Sequence, residues 1–372
     1  MIQTYDVGSI PFVGDIEKFS RGAKLIDTLL EFLYVDKYSL DKKYFEEKII
    51  ECLLDKIRAG VNIPNYPQFR DMNAMFLSLV NEVKETKEGY MITGPLSIDP
   101  KKRKIPEVDA IERNTREISN KFNNPLAIKI CVTGPYTLSS LFNIKEYNIF
   151  SELAKIVTQI VEANLFNHKF GRVEFVTIDE PVFGLIDDPL LDYGSSRREE
   201  LLKAWESIFH AIKTKNAKTC IHLHGTSNEL FWQIKSLNII ESHVEDSLYS
   251  DKMTKEIIER EDKFLKASIS KTDFDSLIRD HLVSKFKITD EAVLNQRIAD
   301  TWTDMQKGKI NPIIFLEDAD VIEGRLRRII KKFGEERVPY AGPECGLKSF
   351  PTYDSAIECL RRVSSVSNPI IK

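Results

Sequence analysis

The segments "VEFVTIDEP" (173–181) and "KTCIHLHG" (218–225), with the helical stretch 196–214 between them, decide the fold. Each quoted segment is a short run of β-branched and apolar residues that ends in acids, histidines, proline or glycine. Strands that alternate with helical patterns in this way are typical of parallel sheets. The stretch therefore predicts a parallel sheet with helices packed on it.

The same alternation runs along the whole chain. Further strand-like runs lie at 4–11, 61–67, 90–98, 126–138, 238–246, 264–270 and 337–346, and helices are expected at 41–60, 72–85, 107–122 and 150–170. Two "TGP" turns, at 93–95 and 133–135, each follow an apolar strand, as a repeated exit from a barrel strand would. Roughly eight such units favour an α/β protein with one closed (β/α)8 TIM barrel. We predict a single domain over residues 1–372, with helical insertions near 14–40 and 274–312.

Composition narrows the function classes. The 372 residues carry a net charge of −4 without a basic block, which argues against nucleic acid and anionic membranes as partners. No apolar run approaches the ~18 residues of a membrane span, and the first residues do not resemble a signal peptide. Five widely spaced cysteines do not suggest a disulfide framework. These features together predict a cytoplasmic protein.

The strand ends carry the candidate functional residues, because barrel enzymes place their sites at the carboxyl ends of the strands. His222 and His224 are two positions apart, so on a strand they point to the same face and can reach one ion. Glu245 and Cys345 follow later strands and would complete a tetrahedral zinc site. The alternative is that these histidines are satisfied by carboxylates or backbone and bind nothing. Cys220 lies deeper in its strand and is expected in the core.

Asp179 and Glu180 end the strand before the histidines and are candidate catalytic carboxylates. The alternative for this pair is an ordinary strand end with a solvated carboxylate. His243 is a further possible ligand, but Ser242 and Val244 beside it leave its facing ambiguous.

Five segments, in order along the chain, resemble the cobalamin-independent methionine synthase family, specifically its catalytic C-terminal barrel in the short archaeal form. "VGSIP" (7–11) resembles the family's V/I-G-S-x-P, "VTGPYTL" (132–138) its T-G-P-x-T-L, and "TIDEP" (177–181) its I-D-E-P. "HLHG" (222–225) falls at its H-x-C-G, and "GPECGLKSFP" (342–351) resembles its N-P-D-C-G-L-K. The resemblance implies a TIM-barrel methyltransferase.

The resemblance also implies a zinc site, because the family holds catalytic zinc through His, Cys, Glu and a second Cys. The matching positions are His222, His224, Glu245 and Cys345. His224 stands where the family has cysteine, and Asp246 is the alternative to Glu245. In a second alignment His224 takes the histidine position and Thr226 the cysteine position.

The substrate positions follow in the same way. Ser9 and Asp179 match residues that hold the carboxylate and the amine of homocysteine in the family. A second acid for the amine falls in "NYPQFRDM" (65–72), where Tyr66 replaces it and Asp71 is the remaining candidate. The family's late histidine has no counterpart after 267–270.

The implied reaction moves a methyl group to homocysteine and gives methionine. Zinc would make the thiol a thiolate, and the donor would be methyltetrahydrofolate, its archaeal analogue or a methyl-corrinoid. A histidine in place of a cysteine removes a negative charge, which favours a more reactive donor than methyl-folate. Two alternatives stay open: alkyl transfer involving another thiol of the coenzyme M type, and a non-catalytic barrel that binds a partner methyltransferase.

Overall fold

The computed structural model describes residues 2–25, 35–143, 148–185 and 187–367. Seven parallel strands form one curled sheet in the spatial order β1, β10, β9, β8, β7, β6, β4. Their bounds are β1 (Gln3–Thr4), β4 (Leu126–Thr133), β6 (Gly171–Glu180), β7 (Lys218–Leu223), β8 (Ile239–Glu241), β9 (Phe264–Ser270) and β10 (Tyr340–Pro343). A short strand, β5 (Asn167–His168), pairs antiparallel with β6.

The segment 61–68 closes this sheet into a barrel. It pairs in parallel with β1 through a bridge between Tyr5 and Ile63, and with β4 through a bridge between Asn65 and Lys129. The amide of Ile63 donates to the Thr4 carbonyl at 3.0 Å, and the amide of Lys129 donates to the Pro64 carbonyl at 3.0 Å. This segment takes the place of the eighth barrel strand. Its hydrogen bonding is irregular, because its two prolines have no amide donor. The (β/α)8 TIM-barrel fold predicted from the sequence is confirmed.

Helices cover the outside of the barrel and bury their apolar faces against the strands. The helices that follow the barrel strands are α4 (Pro106–Phe122), α6 (Ile149–Asn164), α7 (Ser196–Thr214), α8 (Lys252–Arg260), α11 (Ala319–Phe333) and α12 (Tyr353–Ser367). The sequence predicts α4 and α7 closely, since apolar residues recur at helical spacing in both. Among the described residues, no helix is long and apolar enough to cross a membrane.

The two expected insertions are helical. The first contains α1 (Ile16–Leu25) and α2 (Val35–Arg58), and its middle, 26–34, lies outside the described residues. The second contains α9 (Phe274–Phe286) and α10 (Glu291–Gln306). Two short helices, α3 (Met72–Leu77) and α5 (Pro135–Ser140), follow segment 61–68 and β4. The assignment of all 372 residues to a single domain stays a prediction.

Two expectations about the secondary structure of residues 72–98 are wrong. Residues 90–98 are not a barrel strand: they belong to β3 (Gly89–Ile98), which pairs antiparallel with β2 (Val80–Thr86) in a separate hairpin. The helix expected over 72–85 ends at Leu77 for the same reason, since its second half is β2. Residues 87 and 88 form the turn between the strands, and Gly89, which follows it, has a φ of +126°, a conformation that glycine adopts readily. The "TGP" at 93–95 is therefore interior to a hairpin strand.

Candidate metal centre

The strand β7 points His222 into the barrel interior at its carboxyl end. Parallel pairing places Asp179 of β6 and Glu241 of β8 directly beside it in register. Side chains of neighbouring strands in register project to the same face of a sheet, so all three converge. His222 and Glu241 are completely buried, and Asp179 is 5% exposed.

Four side chains form a cluster with metal-ligand geometry at this rim. They are His222, His224, His243 and Cys345, and one ligand atom from each lies within 4.8 Å of the others. The Sγ atom of Cys345 is 3.5 Å from Nε2 of His224, and the rings of His224 and His243 have centroids 4.1 Å apart. His222 lies on β7 itself, and the loops after β7, β8 and β10 supply His224, His243 and Cys345. The histidines and the thiol predicted from the sequence are thus brought together, and the ligand set itself remains a proposal.

The donor atoms of this cluster fit a zinc ion. Nε2 of His222 and Nε2 of His243 are buried without a hydrogen-bond partner among the described residues. Buried nitrogens left in this state are costly unless another partner is available, and a metal ion is such a partner. Imidazole and thiolate are the ligands that zinc prefers, and they argue against magnesium or calcium.

The electrostatics of the cluster favour ionised sulfur. Burial raises the pKa of Cys345, but contacts with His222 and His243 outweigh burial and lower the pKa to about 7. Burial lowers the pKa of His224 to about 4, helped by the neighbouring His222. Burial also lowers the pKa of His222, yet Asp179, Cys345 and Glu241 together raise it to about 10. A thiolate and a neutral His224 are the forms that bind metal, whereas His222 would release a proton on binding.

Glu245 does not join the cluster. It is exposed, and its backbone has a φ of +69° in the loop after β8. Strand β8 ends at Glu241, several residues earlier than expected, so the chain turns before reaching Glu245. His243 occupies the place expected for Glu245, and Asp246 instead caps a short turn and accepts from the Thr226 hydroxyl. The sequence marks His243 only as a further possible ligand, because the end of β8 at Glu241 is known from the structure alone.

Glu180 points away from the cluster, and its catalytic role stays a prediction. Its carboxylate accepts the amides of Tyr136 and Thr137, at 3.0 and 2.7 Å, at the start of α5. The indole of Trp205 donates to the same carboxylate at 2.8 Å. Adjacent residues of a strand face opposite sides, so Asp179 facing the interior places Glu180 towards the helices. Burial raises the pKa of Glu180 to about 7, against the lowering effect of these donors.

The three predicted substrate-binding residues lie in different places. Asp179 is at the cluster, with Oδ1 3.7 Å from Nε2 of His222. Ser9 lies against the loop that carries Cys345, and its carbonyl accepts the Leu347 amide at 2.7 Å. Asp71 is exposed and caps helix α3 by accepting the Ala74 amide at 2.8 Å, so the structure does not bring it to the cluster.

Tyr66 and the remaining cysteines belong to the interior. Tyr66 is fully buried, and its hydroxyl donates to the carbonyl of Cys131 at 2.9 Å. Cys220 is fully buried as expected, with its Sγ 3.6 Å from the hydroxyl of Tyr5. The other cysteines expected in the core are buried as well: Cys52, Cys131 and Cys359.

Comparison with known proteins adds a sequence relative and a solved structure, and no protein-family model matches the chain. A methionine synthase of Sulfolobus acidocaldarius is 21% identical over 187 residues, which cover 48% of this chain and 50% of the relative. The match thus spans about half the length of that curated relative. The structure of a B12-independent methionine synthase from Shewanella sp. W3-18-1, in complex with selenomethionine, matches with a TM-score of 0.59 at 15% identity.

That structural match covers 100% of this chain and 98% of the Shewanella chain, and at this identity it establishes a shared fold. The five ordered motifs and the curated relative point the same way as the shared barrel. They agree with the resemblance of the sequence to the cobalamin-independent methionine synthase family.

Proposed function

We propose that this chain is a zinc-dependent methyltransferase that moves a methyl group from a donor to homocysteine and releases methionine. The observation that carries the proposal is the cluster of three histidines and one cysteine at the carboxyl rim of the barrel. The closest reaction type is that of 5-methyltetrahydropteroyltriglutamate–homocysteine S-methyltransferase. The curated methionine synthase relative and the shared fold support it.

His222, His224, His243 and Cys345 would hold the zinc ion. Bound zinc lowers the pKa of a thiol that coordinates it, so that homocysteine reacts as a thiolate. His222 is completely buried, and the other three residues of the cluster are partly buried, so the cluster is largely shielded from solvent. A dry site strengthens the electrostatic interactions that orient the sulfur.

Asp179 and Ser9 would orient the amino-acid part of homocysteine. Oδ1 of Asp179 is buried without a hydrogen-bond partner among the described residues, which leaves an acceptor for an ammonium group. Ser9 adjoins the loop of Cys345 and would take the carboxylate. Asp71 and Glu180 are left out of this set, because their carboxylates are used as helix caps.

The donor would be a methyl-pterin, such as methyltetrahydrofolate or an archaeal analogue, or a methyl-corrinoid protein. A zinc ion held by three neutral imidazoles and one thiolate has a net charge of +1. Each further anionic ligand would lower that net charge by one. A less electron-rich site makes a weaker thiolate nucleophile, which favours the more reactive of these donors. We further propose a cytoplasmic location, with neither nucleic acid nor membrane as a partner.

A second candidate function is zinc-dependent alkyl transfer involving another thiol, of the coenzyme M type. The observation that favours it is Tyr66, which stands where the family has an acid for the amine of homocysteine. Tyr66 is buried, and its hydroxyl donates a hydrogen bond to the carbonyl of Cys131. A thiol without an amine would not require that acid.

Zinc quantitation followed by product analysis tests both functions. The purified chain is assayed with homocysteine or coenzyme M as the thiol, and with methyl-pterin or methylcobalamin as the donor. We expect about one zinc per chain and methionine from homocysteine. Bound zinc with product only from coenzyme M would favour the second function. Bound zinc with no product from any pair would favour a non-catalytic barrel, and a chain that binds no zinc would refute both enzyme functions.

A further inference from the structure

A buried carboxylate, Glu241, lies beside the metal-site cluster and links it to two lysines inside the barrel. Its Oε1 is 3.3 Å from Nδ1 of His222, and its Oε2 is 3.0 Å from Nζ of Lys266. Lys129 approaches Oε1 at 3.8 Å. All four side chains are completely buried. Charged groups are rarely buried without a partner, so this arrangement calls for a role.

The two lysines are held in place by other groups. Lys266 donates to the Pro343 carbonyl at 2.5 Å, and Lys129 donates to the Asp6 carbonyl at 3.1 Å. Both ammonium groups also lie over the ring of Tyr5, at 5.4 and 4.8 Å from its centroid. The two ammonium groups compensate the charge of the Glu241 carboxylate and hold it in place.

The position of Glu241 relative to His222 has a chemical consequence. A neutral imidazole donates from one nitrogen and accepts at the other. A carboxylate next to Nδ1 favours the proton on Nδ1, and it leaves the lone pair of Nε2 available. Glu241 itself lies outside the four residues whose ligand atoms cluster within 4.8 Å. Its two cations also compensate its charge, which weakens it as a ligand for a metal.

We propose that Glu241 is a positioning residue for the metal centre: it accepts the Nδ1 proton of His222 and directs Nε2 to the metal, while Lys129 and Lys266 hold it away from the metal. The proposal rests on the proposed zinc site. This role explains why Lys129 and Lys266 are buried inside the barrel. Without their positive charges, no protein group would compensate the charge of the Glu241 carboxylate next to the cation site.

Metal affinity and cobalt spectroscopy on the full chain test this role. Zinc affinity is measured by competition with a chelator, and Co²⁺ absorption reports the ligand set through its d–d and thiolate charge-transfer bands. The variant Glu241→Gln removes the charge and keeps the size. The matched control is Glu180→Gln, which removes an equally buried carboxylate that lies on β6, two strands away, and faces the helices. Unfolding curves check that each variant is folded.

We expect Glu241→Gln to weaken zinc binding by about 10–100-fold, as for other residues that hold a ligating histidine, with Co²⁺ bands at their wild-type positions. Glu180→Gln should leave both measurements unchanged. Co²⁺ bands that shift in Glu241→Gln would identify Glu241 as a direct ligand and overturn the proposal, as would an unchanged zinc affinity. A wild-type chain that binds neither metal would refute the proposed function itself, and this inference with it.

The tautomer of His222 can be measured in the wild-type chain, so this second test does not require the Glu241→Gln variant to fold. In the zinc-loaded wild type, ¹⁵N-histidine NMR should find His222 protonated at Nδ1 and bound to metal through Nε2. The resonance is assigned with His222→Ala, and His168, far from the cluster on β5, serves as an internal reference. Metal bound to Nδ1 of His222 would overturn the proposal.

Discussion

The Sγ atom of Cys345 lies 3.5 Å from Nε2 of His224, although 121 positions separate the two residues in the chain. Parallel strands place their carboxyl ends at one rim of the barrel, so residues that follow β7 and β10 meet there. The contact joins a nitrogen donor and a sulfur donor of a candidate metal site. Four predictions follow from the groups that build this rim.

Replacing His243 by alanine should remove a metal ligand. We expect zinc affinity to fall by more than the roughly 10–100-fold that loss of an outer partner causes, because the donor atom itself is lost. Chelator competition measures the change. The control is Glu245→Ala, an exposed residue of the same loop, which should bind zinc as the wild type does. A loss in Glu245→Ala with none in His243→Ala would restore the ligand set first expected from the sequence.

Gly346 controls how closely the loop of Cys345 approaches the segment after β1. A Cβ atom at this position would fall 1.9 Å from Oγ and 3.1 Å from Cβ of Ser9, so the Ser9 side chain or one of the two loops would have to move. We expect Gly346→Ala to weaken zinc binding and methyl transfer by at least roughly tenfold, since a misplacement of about 1 Å costs around 100-fold.

The double variant Ser9→Ala, Gly346→Ala should recover part of the zinc affinity, because the hydroxyl that meets the new methyl group is gone. Gly324→Ala is the control, since the nearest atom to its added Cβ is 3.9 Å away. Zinc binding by Gly346→Ala equal to that of the wild type would show that the two loops are not in tight contact.

The buried ion pair between Lys56 and Asp6 should stabilise the closed barrel. Their charged atoms are 2.6 Å apart, and Lys56 also donates to the carbonyls of Gly8 and Asn65. Lys56→Met leaves the Asp6 carboxylate buried without its cation, and we expect a loss of about 3–5 kcal/mol in the free energy of unfolding. Denaturant unfolding measures it.

Asp6→Asn combined with Lys56→Met should be less destabilised than Lys56→Met alone, because no unpaired charge remains. A double variant that loses the sum of both single losses would mean that the two side chains do not interact energetically.

Glu180 should make stability depend on pH. Burial raises its folded-state pKa to about 7 from the usual 4.5, so the folded chain binds more protons than the unfolded chain between these values. Stability therefore falls as pH rises from about 4.5 to about 7, by on the order of 3 kcal/mol. Unfolding of the wild type and of Glu180→Gln across this range isolates the contribution as a difference. Parallel pH profiles would mean that Glu180 does not titrate in this window.

Local sequence determined most of the barrel. The runs that became β6 and β7 are apolar enough to be buried on both faces, and helix α7 between them has its apolar residues at helical spacing. The run "VNIPNYP" (61–67) has a weaker strand pattern, because prolines interrupt its hydrogen bonding, and pairing on both sides is what makes it part of the barrel. Residues 90–98 have an equally good strand pattern, but a strand pattern does not identify its partner.

For the site, the sequence by itself determined that histidines and a cysteine end strands of a parallel sheet, since strand ends are local features. Only the tertiary structure decided which of them meet. His243 and not Glu245 reaches the cluster, because β8 ends at Glu241 and the chain turns there. Likewise, Asp179 faces His222 and Glu180 faces Trp205, a difference set by the alternation of side chains across a strand whose register depends on its neighbours.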